Sequence, residues 1–220
     1  DFHGIPRTTV VRNGMDLREW TVHESDIARF RAQHNMQDRK VMLFGGRLSR
    51  NKGTTPLLHA FAALRREFPD VLLLVVGEHD RWKGLFRESG VPAELTAHVR
   101  CTGWLPREAM RIATFACDLA TTPSICLDTF NLMNIEAMAA GKPVVGTCFG
   151  GTPEVVRDDE MGFVRNPLKI AEYTEALRTL LRNPTLAERM GQAGRTRVEE
   201  HFSLDRMIDA HLRAYESTFR

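Results

Sequence analysis

Along this chain, short apolar runs ended by glycine alternate with longer stretches whose apolar positions recur every three or four residues. The run Val41-Met42-Leu43-Phe44, closed by Gly45-Gly46, predicts a buried strand entering a tight turn. From residue 54 to 68 the positions Leu57, Leu58, Phe61, Ala62, Leu64 and Phe68 share one helical face, and Pro69 stops the helix. The unit then repeats. Residues 71–76 read as a strand ended by Gly77, followed by helical material to about Val99 and a short strand over 100–102 ended by Gly103. A helix over 107–115, a strand over 118–121, a helix over 132–140 and a strand over 143–147, ended by Gly150-Gly151, continue the alternation. Beyond Pro167 the pattern is helical, over 168–181, 184–199 and 204–219. Strands alternating with helices predict an α/β, doubly wound, Rossmann-like parallel sheet covered on both faces, with extra helices at its C-terminal end. Ligands of such sheets lie outside the carboxyl ends of the strands, so the loops after Phe44, Val76, Thr102, Thr121 and Thr147 should together form the site.

Composition narrows the class. A chain of 220 residues with 43% hydrophobic content suits one sizeable core. Thirty basic against 28 acidic side chains, a formal net charge of +2, gives no global field favouring nucleic acid or an anionic membrane. The four cysteines, Cys101, Cys117, Cys126 and Cys148, lack both metal-site spacing and the density of a disulfide scaffold, so a reducing, cytoplasmic setting is expected. The longest apolar run, 71–76, is too short to cross a bilayer. The chain starts at Asp1, and His3-Gly4-Ile5-Pro6 reads as a connector, which suggests a piece of a larger protein.

Two loops carry candidate chemistry. The first, Gly45-Gly46-Arg47-Leu48-Ser49-Arg50-Asn51-Lys52-Gly53, joins a strand to a helix and gathers glycines, cations and free helix N–H groups, either as an anion site or as a solvated basic loop. It fits neither GxGxxG nor GxxxxGK[ST], which removes the main support for a dehydrogenase or a P-loop NTPase. The second, residues 122–131, leads into the helix bearing Glu136. That carboxylate shares a face with Leu132, Met133, Ala139 and Ala140, a face expected to turn toward the core. A carboxylate there needs a partner: the two hydroxyls of a ribose, both donors to it, or a structural N–H or Arg. Asp128 reads as an acid favoured by the helix dipole or as a ligand for a hydroxyl. There is no HExxH, no Asp-x-Asp pair and no clustered Cys/His, and Asp158-Asp159-Glu160 reads as a solvated loop, so no metal site is expected. Ser124 and Cys126 read as plain loop residues, and Trp82 and Trp104 as residues of core or edge packing before residues that brace a ligand.

Taken in order, Gly46-Arg47-Leu48 with Lys52-Gly53, Thr102-Gly103-Trp104-Leu105, Pro123-Ser124 with Asp128-Thr129-Phe130, the run from Glu136 to Val145, and Gly150-Gly151-Thr152-Pro153-Glu154 resemble the family 4 (group 1) retaining glycosyltransferases, which have two Rossmann-like domains. The resemblance covers nearly the whole chain. It implies that residues 1–22 are an interdomain connector and the start of the domain, 23–200 a nucleotide-sugar-binding domain, and 201–220 a helix that packs back on an absent N-terminal acceptor domain. It further implies catalytic roles for Arg47, Lys52, Asp128 and Glu136. Arg47 and Lys52 would hold the diphosphate of the donor, Glu136 the ribose and Asp128 a sugar hydroxyl. The backbone amides of Phe130, Asn131 and Leu132 would also face the sugar, Gly46 and Gly77 would complete the donor site, and the base would lie near Cys101, Thr102 and Leu105. The implied reaction moves a sugar to an acceptor glycan, lipid or small molecule with retention and without a metal or other cofactor. This piece alone would transfer poorly, and the resemblance leaves room for peripheral membrane association of the longer protein. The family usually has Glu where Asp128 stands and Gly where Asn131 stands. Those departures leave a non-catalytic sugar-nucleotide-binding module open as an alternative, beside a related epimerase; a phosphorylase would need a cofactor lysine that is not identifiable.

Overall fold

The structure, a computed structural model, describes residues 9–218. Six strands, β1 (Lys40–Gly45), β2 (Val71–Val76), β3 (Val99–Cys101), β4 (Leu119–Thr122), β5 (Val144–Thr147) and β6 (Gly162–Arg165), form one parallel sheet in the order β3-β2-β1-β4-β5-β6. The order reverses between β1 and β4, where doubly wound sheets bind ligands. The helices are α1 (Glu24–Gln33), α2 (Thr54–Glu67), α3 (His79–Glu88), α4 (Arg107–Ala116), α5 (Leu132–Ala139), α6 (Thr152–Val155), α7 (Ile170–Arg182), α8 (Pro184–His201) and α9 (Leu204–Thr218).

The period-2 side-chain alternation of strands sorts the core into two layers. Met42 and Phe44 of β1 and Leu73 and Val75 of β2 face α2, α3 and α7, whereas Val41, Leu43, Leu72 and Leu74 face the layer built by α1, α4, α5 and α8. Most of these side chains are fully buried, each worth roughly 1.5–3 kcal/mol of hydrophobic stabilisation. Tyr173 of α7 adds a polar tie: its hydroxyl donates to the Val145 carbonyl at 2.9 Å and lies 2.5 Å from Thr121 Oγ1.

Several expectations need correction. The opening stretch contains α1, unmarked in the pattern because Phe30 is its one buried residue. The helical material before β3 is α3 and then a short 3-10 helix over Ala93–His98, separated by Gly90. A sixth strand, β6, lies between β5 and the C-terminal helices. Met15 bridges to Ser203 and exchanges backbone hydrogen bonds with Phe202 and Leu204, so the segment before α1 is tied to the α8–α9 junction. On α9 the side chains of Ile208, Leu212 and Tyr215 are exposed. His3-Gly4-Ile5-Pro6 and the predicted helix end at Phe219 lie outside the described residues.

Candidate active site

At the carboxyl ends of β1 and β4 the loops enclose a cleft of about 660 Å³, within the usual range for small-molecule sites. Two glycines hold its walls together. Gly53, at φ 74°, sits against the Pro123 backbone, and Gly150, at φ 64°, sits against the Asp128 backbone; a Cβ at either would overlap those atoms. Ile125 N–H donates to the Asn51 carbonyl at 2.8 Å, and Gly151 N–H to the Asp128 carbonyl at 2.7 Å. The loop after β1, the loop after β4 and the glycine turn after β5 thus form one unit.

From the first loop, Gly46, Arg47 and Lys52 line the cleft. Arg47 is exposed and, among the described residues, has no hydrogen-bond or ion-pair partner. Lys52 reaches across to Asp128, its Nζ 2.6 Å from Oδ1 and 2.5 Å from Oδ2. Ser124, itself buried, donates its hydroxyl to Asp128 Oδ2 at 2.8 Å, and the Cys126 thiol approaches Oδ1 at 3.6 Å. Burial pushes the Asp128 carboxyl up, but hydrogen bonds from Lys52 and Ser124 outweigh it and hold the group below the usual carboxylate range. Ser124 is therefore more than a loop residue: it fixes Asp128.

Helix α5 supplies the opposite wall. A buried chain of polar groups anchors it, with Thr122 Oγ1 donating to Asn134 Oδ1 at 2.8 Å and Asn134 Nδ2 to Thr152 Oγ1 at 3.3 Å. Asn131 is its N-cap, accepting from Met133 N–H at 3.1 Å. The N–H groups of Phe130, Asn131 and Leu132 donate to no acceptor among the described residues, and all three residues line the cleft. They form a donor set at a positive helix end. Leu132, expected to turn toward the core, is half exposed because the first position of α5 faces the cleft. Glu136, one turn on, is partly buried; its carboxylate accepts no hydrogen bond from the described residues and opens into the cleft. Burial raises its affinity for a proton above the ordinary glutamate value, against the pull of Arg107.

The cleft thus gathers Gly46, Arg47, Lys52, Leu105, Asp128, Phe130, Asn131, Leu132 and Glu136. Gly77, Cys101 and Thr102 are not part of its lining: Gly77 N–H bonds the Gly103 carbonyl, the Cys101 thiol approaches the Gly77 carbonyl at 3.6 Å, and Thr102 N–H bonds the Val75 carbonyl. They shape the wall through backbone contacts. Of the two roles the sequence leaves Trp104, packing and bracing a ligand, the structure favours the second: the side chain is 63% exposed and lines the cleft beside Leu105 and Met110. Its position after Gly103, a glycine at φ 75°, is the signal that a turn throws it outward. Among the described residues no group of three or more His, Cys, Asp or Glu side chains is placed to hold a metal ion.

Residues 26–197 match the family model described as glycosyl transferases group 1. Spore coat protein SA of Bacillus subtilis is 29% identical over 228 residues, covering 96% of this chain and 59% of that protein. Alpha-maltose-1-phosphate synthase of Mycolicibacterium smegmatis is 31% identical over 226 residues, covering 95% of this chain and 56% of that protein. Among solved structures, that of Anabaena Alr3699/HepE in complex with UDP and glucose superposes with a TM-score of 0.84 at 25% identity, over 96% of this chain and 56% of that one. The chain spans a little over half the length of these relatives.

Proposed function

This chain belongs to the group 1 glycosyl transferases, and from that premise we propose that its cleft binds a nucleoside-diphosphate sugar and, together with an acceptor-binding domain, transfers the sugar with retention of anomeric configuration and without a metal. One observation carries the reading: the Glu136 carboxylate is held partly buried and, among the described residues, accepts no hydrogen bond. An ionised carboxylate only accepts, and a ribose diol offers two adjacent donors. The diphosphate is matched by Arg47, by Lys52 and by the N–H groups of Phe130 to Leu132. Trp104 and Leu105 offer apolar surface for the base.

In the proposed reaction the bond from the anomeric carbon to the β-phosphate oxygen breaks as the acceptor oxygen bonds the same face, and the acceptor's proton passes to the departing phosphate. Negative charge grows on the diphosphate. Arg47, Lys52 and the α5 N–H groups stabilise that charge in place, so they strengthen the transition state more than the ground state. Asp128 meets a sugar hydroxyl.

The reading is tested by calorimetric titration of the chain with UDP, GDP and ADP and their common sugar conjugates, with and without magnesium. Binding of one nucleotide series, equal in both conditions, is expected. Affinity for none, or affinity only with magnesium, contradicts it.

A further inference from the structure

We propose that Lys52 and Asp128 act as an exchange latch, in which the diphosphate of the donor draws Lys52 off Asp128 and so opens the carboxylate to the sugar; the inference rests on the donor-site reading above. Lys52 Nζ lies 2.6 and 2.5 Å from the two carboxylate oxygens, so in this arrangement the cation expected at the diphosphate and the acid expected at the sugar satisfy each other. Among the described residues Arg47 has no hydrogen-bond or ion-pair partner, while Lys52 is held. The two cleft cations are therefore in different states before any ligand arrives.

The moving partner is the lysine. Asp128 is short and fixed from three sides, by Ser124 Oγ at 2.8 Å, by the Cys126 thiol at 3.6 Å and through its own carbonyl by Gly151 N–H at 2.7 Å. Lys52 carries its ammonium on a flexible four-carbon stem with three rotatable donors. A diphosphate engaging Arg47 and the N–H groups of Phe130 to Leu132 presents a second, stronger set of acceptors to that ammonium.

Once Lys52 moves, Asp128 retains Ser124 and Cys126 but has lost its cation, and its cleft-facing acceptor capacity is open. A bare nucleoside diphosphate leaves it so. A nucleoside-diphosphate sugar brings hydroxyl donors to the same place. The two halves of the donor thus bind cooperatively through one side chain, and the intact donor is favoured over the diphosphate product. After transfer, recapture of Lys52 by Asp128 favours release of the product.

A double-mutant cycle read with inorganic pyrophosphate tests this independently of base and sugar. Pyrophosphate affinity is measured by calorimetry for the unaltered chain, Asp128→Asn, Lys52→Met and the double variant, with thermal unfolding as the check on folding and Asp128→Ser as the replacement should the asparagine variant unfold. The latch requires Asp128→Asn to tighten pyrophosphate by about fivefold or more, the lower range of ordinary coupling between sites, and to have no such effect in the Lys52→Met background. Equal tightening in both backgrounds would mean that removing a negative charge is the whole effect, and overturns the latch. No tightening in either overturns it too, with the donor site intact. Absence of pyrophosphate binding to the unaltered chain and to Asp128→Asn removes the donor-site reading, and the latch with it.

Discussion

The two ends of the parallel sheet both carry basic side chains, yet they use them in opposite ways. At the amino end the guanidiniums are spent on backbone carbonyls. Arg31 donates to the carbonyls of Ala116 (2.5 Å), Met36 (2.9 Å) and Arg39 (2.6 Å), Arg65 to those of Phe68, Pro69 and Val71, Arg39 to that of Asp70, and Arg100 to that of His34. These bonds close the ends of α1, α2 and α4 onto the strand starts. At the carboxyl end, among the described residues, Arg47 has no hydrogen-bond or ion-pair partner, Lys52 is held by a carboxylate, and Glu136 and three α5 N–H groups face the cleft without a hydrogen-bond partner. A buried or half-buried polar group is expensive to leave unmatched. Density of charge therefore does not mark a site; polar groups whose partners must come from outside do.

The comparison predicts separable effects. The largest is on stability: Arg31→Ala removes three charge-assisted bonds and should destabilise the fold by about 3 kcal/mol with nucleotide affinity unchanged, as measured by denaturant unfolding beside calorimetry. Next, replacing Arg47 and Lys52 together by Ala should weaken nucleoside-diphosphate binding about 100-fold, roughly 2.7 kcal/mol, with little change in melting temperature. A double variant that unfolds, or that binds normally, would erase the distinction between the ends. Glu136→Gln comes third, with about a tenfold loss, roughly 1.4 kcal/mol, for nucleotides carrying a ribose and none for pyrophosphate. Equal losses for both would make Glu136 a structural residue.

Smallest is the response to pH, which should differ in sign between the ends. Burial, with Arg65, Arg39 and Arg100 around it, lowers the pKa of His98, whose Nδ1 and Nε2 lie 3.3 and 2.9 Å from the guanidiniums of Arg39 and Arg65. The unfolded chain therefore takes up this proton first, and stability falls as pH drops through the ordinary histidine value toward the folded one. Glu136 is shifted the other way. The folded protein takes up its proton first, so the cost of burying that charge is relieved as pH falls through the raised folded pKa toward the ordinary glutamate value. Over the same interval donor affinity should decline, since the protonated acid loses acceptor capacity, and Glu136→Gln should flatten that decline. Titration of binding and unfolding on the same samples separates the two effects.

Much of this organisation was legible along the chain, for physical reasons. Buried parallel strands are continuous apolar runs, and glycines end them where loops need positive φ or close approach, so β1, β2 and β5 and the loops that follow them could be placed. β6 escaped because only Phe163 and Val164 are apolar in it and its first residue, Gly162, is chosen for its fit against the Val144 backbone. α1 escaped because a helix lying on the surface with one buried residue has little periodicity to show. In the site, residue types and loops suggested Arg47, Lys52, Asp128 and Glu136. Their relations did not follow: the Lys52–Asp128 pair joins residues 76 apart in sequence, and the role of Ser124 exists only because the chain turns back within four residues. For Trp104 the general rule that large aromatics pack inside placed packing ahead of a role in the cleft.

The most direct test of the central claim is an amide chemical-shift map of the chain, recorded as the nucleotide-sugar series that binds is titrated in. Shifts should concentrate in residues 46–53, 104–105 and 128–136, at the carboxyl end of the sheet, with the arginine-bound carbonyl segments around His34, Asp70 and His98 unmoved. Shifts centred on those amino-end segments, with the cleft loops silent, would contradict it.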